Sequence, residues 1–224
     1  MNQAGAVWLR AVSEPVAAAP ADHARDWLPV QRRARERMLG VLQVAEQMLV
    51  LLGPEQISIP RVAQAAGVPR ATIYACFADK YALFCCLTER HLGRLAERVS
   101  GLGELGRARP WQDHVRWLVN GIADYCQANP VVAVLVLGGP YSRAGGLVQA
   151  SMQEVIAERL RQALAGLREP LRLPERPDAT LHAVGTAFAL MRHDYCRNGR
   201  ISESTRQAVV EAVIFCLQGW QAGR

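Results

Sequence analysis

The chain of 224 residues has little that would anchor, crosslink or arm it for chemistry. No stretch approaches the roughly 20 uninterrupted apolar residues that span a bilayer, and residues 1–30 lack the basic start and compact apolar run of an export signal. No membrane partner is expected, and the expected location is cytoplasmic. Six cysteines, at 76, 85, 86, 126, 196 and 216, form no C-x-x-C pair, so reduced thiols are expected rather than a disulfide framework. The five histidines, at 23, 91, 114, 182 and 193, never fall at the i, i+4 spacing of a helix-borne metal site, and no metal or other cofactor is expected. His91 and His114 read as surface residues. His182, His193, Asp194 and Cys196 are close only in sequence, and His193 and Asp194, being adjacent, point apart on a helix. No catalytic constellation emerges, and the chain does not read as an enzyme. Lysine is also scarce: of 26 cationic side chains only Lys80 is not arginine.

What is present is a large apolar complement at helical spacing. Half of the residues are hydrophobic, enough for a real core over one or two domains, while a net charge of +6 and a pI near 9.3 favour an anionic partner. Strand-like alternation and internal repeats are absent, so the chain reads as all-α. Met38, Val41, Leu42, Ala45, Met48, Leu49 and Leu52 predict a first helix over 38–52, stopped by Gly53-Pro54. A long helix is expected over 80–100, ended by the glycine-rich stretch 101–106. Further helices are expected at 110–128, 131–138, 145–167, 178–197 and 203–220, with Asp178 and Ser202 as caps of the last two. Residues 1–30, rich in Ala and Pro and carrying Trp8 and Trp27, read as an arm of low order. Arg32, Arg33, Arg35 and Arg37 follow it, either as a basic arm reaching DNA or as a solvated helix start.

The informative stretch is 58–83. Val62, Ala63 and Ala66 put apolar groups on one helical face, Gly67 ends that helix, and Ile73 and Phe77 restart the period after Pro69. A tight turn between two packed helices needs a residue tolerant of the left-handed region, which glycine is, and Pro69 suits the first turn of the next helix. Ser58 is placed to cap the first helix of the pair. Arg70 opens the second, where a forked guanidinium suits the N7 and O6 acceptors of guanine. Thr72 and Tyr74 carry hydroxyls for phosphate oxygens, Lys80 lies at a helix start that itself favours phosphate, and Arg61 is a further base or phosphate contact.

The succession Val62-Ala63, Ala66-Gly67-Val68, Thr72-Ile73-Tyr74, Phe77, Lys80 and Leu83 resembles the DNA-binding domain of the TetR family of transcriptional regulators, specifically over about 41–87 and only architecturally beyond. The resemblance implies a three-helix helix-turn-helix head over 31–84 and a helical bundle over 85–224 for ligand binding and dimerisation. It implies a homodimer on a palindromic double-stranded operator, a small-molecule effector, and repression as the default. Arg70 takes the base-reading position. Two departures stand out: Cys76 replaces the Tyr or His that commonly precedes the closing Phe, and Pro69 stands where a capping Ser or Thr is common.

Two further expectations concern the bundle. The resemblance makes the helices at 178–197 and 203–220 the dimer contact, through the stripes of Leu181, Val184, Val209, Val210, Val213 and Leu217. An effector pocket is expected between 110–128, 145–167 and 178–197, with Trp117, Tyr125, Met152, Phe188 and Met191 as apolar lining and His182 and Arg192 as polar groups; the alternative for each is plain core. A mostly apolar lining implies a lipophilic or aromatic effector, and a carboxylate only if Arg192 turns inward. Rival readings keep the fold and change the control: a thiol sensor using Cys76 or Cys85-Cys86, or an adaptor that has lost DNA.

Overall fold

A computed structural model describes residues 32–105, 108–174 and 176–222, so the arm expected over 1–30 lies outside the described residues. The order is α1 (Arg32–Leu52), a 3-10 turn (Pro54–Gln56), α2 (Ile59–Ala65), α3 (Arg70–Tyr74), α4 (Lys80–Leu105) and α5 (Trp111–Ala128). It continues with α6 (Pro130–Val132), which widens into a π turn (Ala133–Leu137), then α7 (Arg143–Ala165), α8 (Ala179–Asn198) and α9 (Glu203–Ala222). No strand occurs among the described residues.

The first helices are held by the periodic residues of the sequence. Met38, Val41, Leu42, Ala45 and Leu49 of α1 are buried, packed in one core with Val62 of α2, Ile73 of α3 and Leu83 of α4. Each of these side chains larger than alanine contributes about 1.5–3 kcal/mol through loss of contact with water. Ser58 caps α2 as expected, its Oγ accepting from the Arg61 backbone N–H at 3.4 Å. Gly67 has φ 65°, the left-handed value that lets α2 turn sharply into α3. Pro69 stands at the cap of α3, one place before the first turn.

Four expectations are corrected. α1 begins at Arg32, so the arginine run forms its first turns, where Arg32 Nε donates to Glu36 at 2.9 Å across an i, i+4 step. The glycine-rich stretch does not end α4 at 100. The helix runs on to Leu105, and Gly103 is needed for packing: a Cβ there would lie 2.7 Å from that of Ala163 on α7. The segment expected as one helix over 131–138 is a short α-helix opening into a π turn. His91 and His114 are not surface residues; they are 2% and 0% exposed. His91 falls one turn from Leu87 and Leu95, on the inner face of α4, and its Nε2 lies 3.1 Å from Glu46 Oε1 of α1. His114 sits against Trp117, ring centres 6.1 Å apart. Burial alone would raise the Glu46 carboxyl, but His91, Arg90 and Arg94 together hold it below its ordinary range.

α8 and α9 are joined through Asp194. Its carboxylate accepts from the Ser202 N–H and hydroxyl, both at 2.7 Å, and from Asn198 Nδ2 at 2.6 Å. The Ser202 amide, then the Ser202 and Asn198 side chains, hold this carboxyl well below the carboxylate range. A depressed folded-state pKa stabilises above the unfolded value, and the gain disappears as pH falls through the folded one. Asp194→Ala should therefore cost about 2 kcal/mol or more at neutral pH, lowering Tm by roughly 4–8 °C. The difference from the parent should shrink on acidification, and a thermal melt at several pH values checks it.

Candidate nucleic-acid interface and ligand cavities

The five residues singled out for DNA lie on or beside the exposed side of the α2–α3 unit. Arg70 is the first residue of α3 and is exposed, and its guanidinium has no partner among the described residues. Tyr74, one turn on, is 47% exposed, while Thr72 is half-buried. Arg61 is exposed, but its Nη1 donates to the Gln56 carbonyl at 2.8 Å and to Gln56 Oε1 at 3.1 Å. Lys80 Nζ donates to the Pro54 carbonyl at 3.2 Å and lies 5.4 Å from the Tyr81 ring centre. Both cations thus pin the Pro54–Gln56 turn, a structural role that the sequence reading missed. It also passed over Asp79, whose Oδ1 accepts from the Ala82 N–H at 2.8 Å and caps α4; an Asp just before a helical run is the signal.

The seven residues expected to line a single pocket are not brought together. Between α4, α5, α7, α8 and α9 there is a wholly apolar cavity of about 40 Å³, roughly one water's share of space, lined by Val99, Leu118, Ile156, Ala183 and Val213 among others. None of the seven lines it. Phe188 and Arg192 face instead a cleft of about 620 Å³ between α7 and α8. His182 borders the groove that continues along α8, its ring 6.0 Å from that of Trp220. Trp117 is covered by Arg109, 5.1 Å from its ring centre, and Tyr125 is buried beneath Arg98 at 5.4 Å. Met191 is buried, and Met152 packs half-buried against the core. Helical rotation explains the split: on α8, Phe188 and Arg192 are one turn apart on the side toward α7, whereas Ala183, Val184 and Ala187 turn to the interior.

The stripes expected to meet a second subunit are already covered within one chain. Val184, Val209, Val210, Val213 and Leu217 are 6%, 0%, 1%, 3% and 0% exposed, and Leu181 is half-buried. A charge at Val213 would therefore disrupt the chain's own core rather than separate subunits. What α8 and α9 leave open is the opposite side: His182, Ala189 and His193 on α8, and Ala208, Glu211 and Phe215 on α9, with Phe215 78% exposed.

Four of the six thiols are shifted away from their reactive form. Burial pushes the Cys76 and Cys85 thiols up and raises Cys126 to about 12, and burial likewise raises Cys86. The reactive form is the thiolate, so these shifts oppose sensing at Cys76 and Cys85-Cys86. Among the described residues no group of three or more His, Cys, Asp or Glu is placed to hold a metal ion, and no helix is long and apolar enough to cross a membrane.

Residues 41–85, from within α1 to the start of α4, match the family model for bacterial regulatory proteins, tetR family. Among curated proteins none matches the chain. Solved structures share the fold over most of the chain. A TetR-family transcriptional regulator from Streptomyces coelicolor superposes with a TM-score of 0.65 at 21% identity, over 82% of this chain and 99% of that one. The fatty acid degradation regulator FadR of Bacillus halodurans gives 0.59 at 18%, over 82% and 95%. SmeT, solved as a triclosan complex, gives 0.58 at 16%, over 82% and 91%. Residues 41–85 thus match the tetR family's helix-turn-helix by sequence, and most of the chain shares the all-α fold of these solved structures.

Proposed function

We propose that the chain is a homodimeric, effector-controlled transcriptional regulator, a repressor that leaves a palindromic operator when a small lipophilic or aromatic molecule binds. Residues 31–84 form the DNA-binding head, and 85–224 the part that binds effector and the second subunit. The observation that carries this reading is Arg70: an exposed guanidinium with no protein partner, at the start of α3 in a tetR-type head, and one turn from the exposed Tyr74. A cation left unpaired at a recognition-helix start is suited to a base edge, while Thr72, Tyr74 and Lys80 serve phosphate oxygens and Arg61 a base or a phosphate. The lipophilic effector is supported by the wholly apolar cavity among α4, α5, α7, α8 and α9, which must widen to admit one, and by the triclosan complex of the similar SmeT.

Control is linkage. An effector that favours a head spacing unfit for DNA lowers operator affinity by the same factor by which operator lowers its own. α4 is the mechanical route, because it begins beside the α2–α3 unit and ends against α7 at Gly103. The dimer is assigned to the open side of α8 and α9 around Phe215. Selection of bound sequences from a random double-stranded pool tests the reading. Enrichment of one inverted repeat is expected, and recovery of a pool no different from the input would overturn it.

A further inference from the structure

The cleft between α7 and α8 has properties that the interior cavity lacks. At about 620 Å³ it is in the range of small-molecule sites, which run to roughly 300–1,000 Å³. Val136, Pro140 and Phe188 give it an apolar wall, and Arg192 is its fixed cation. Arg192 Nη2 donates to the Val136 carbonyl at 3.0 Å and to Gln149 Oε1 at 2.8 Å. Gln149, only 6% exposed, is itself locked, its Nε2 donating to the Leu135 carbonyl at 2.9 Å. The arrangement follows from the chain: Pro140 has no N–H to return to the Val136 carbonyl, so the open end of the π turn is satisfied by side chains from α7 and α8.

The charge on Arg192 is left over. Two of a guanidinium's five N–H groups are used here, and those on Nε and Nη1 have no partner among the described residues. Other half-buried arginines do reach carboxylates: Arg90 to Glu46, Arg161 to Asp178 and Arg206 to Asp124. Arg192 reaches none among the described residues, and no acidic residue lines the cleft, although Glu154 lines the groove that continues along α8. A partly desolvated cation with spare donors and no counter-charge is stabilised by an anion far more than a solvated surface arginine would be.

From this geometry we infer that the α7–α8 cleft binds a small carboxylate with an apolar body, the carboxylate on Arg192 and the body against Phe188 and Val136. The site is separate from the interior apolar cavity and takes a second, anionic ligand. Its link to the head is physical. The π turn that Arg192 holds at Val136 also accepts from the Tyr141 hydroxyl, at the Val134 carbonyl, 2.8 Å away. The Tyr141 ring meets Phe84 edge-on at 5.8 Å, in the first turns of α4. A ligand that competes for Arg192 therefore acts on the turn against which α4 is braced. As a route of control this rests on the regulator reading above, but binding itself does not.

Calorimetry on the full chain without DNA, using 2-naphthoate and decanoate with 2-naphthamide as the uncharged control, tests the site. Either acid should bind with Kd below about 1 mM, and Arg192→Gln should weaken it about tenfold or more while leaving the amide unchanged. Should Arg192→Gln fold poorly, Ala150→Trp answers the same question, since it fills the cleft from the exposed side of α7 without touching the arginine and should block the acids. No binding of either acid, or equal binding by parent and both variants, overturns the proposal and leaves the cleft as a seat for a side chain of the second subunit. A gel shift on the selected operator then separates the two readings. Arg192-dependent binding that leaves DNA affinity untouched keeps the site and removes it from control.

Discussion

Phe215→Glu is expected to yield folded protomers that no longer pair and no longer hold the operator. Phe215 is 78% exposed on α9, so the variant removes nothing from the protomer's own core. A two-fold contact places the same patch of both subunits together, so one substitution sets two carboxylates near the axis and forfeits two aromatic anchors. Burial of each ring is worth about 2 kcal/mol, and like charges in a desolvated contact add to the loss. The dimer constant should weaken by about a thousandfold or more, from roughly 4 kcal/mol of lost contact energy. Operator affinity should fall with it, because a lone head grips one half-site only. Sedimentation of a variant with an unchanged helical spectrum gives the answer. An undiminished dimer would move the contact away from α8 and α9.

Arg70 and Lys80 should fail differently. Arg70→Ala should cost roughly 1–3 kcal/mol and relax the preference at one operator base pair, because a base edge loses its donor. Lys80→Gln should weaken all sequences alike and lower the salt slope by about one. It should also loosen the head, because Lys80 Nζ braces the Pro54 carbonyl at 3.2 Å. Thermal stability separates the two contributions: a loss of stability with an unchanged salt slope would make Lys80 a brace for the turn and nothing more. Equal, sequence-blind losses for both variants would remove Arg70 from base reading.

The sequence alone determined what depends on neighbours along the chain. Period, cap and turn are local properties, so the buried face of α1, the Ser58 and Asp178 caps and the left-handed Gly67 were legible residue by residue. The head was legible for the same reason: its spacing is fixed within 45 residues, and that is the part a family model matches. What only the tertiary structure decided depends on which side of each helix meets which neighbour. Val209, Val213 and Leu217 read equally well as a stripe toward a second subunit or toward the core, and packing against α8 and the body makes them core. Gly103 reads as a helix end until Ala163 is seen opposite it. Arg192 could face in or out, and it is the orphaned carbonyl at the end of the π turn, 56 residues earlier in the chain, that fixes it at the mouth of the cleft. Apolar periodicity states that a face is buried; the identity of what buries it lies in contacts between segments distant in sequence, which no local pattern encodes.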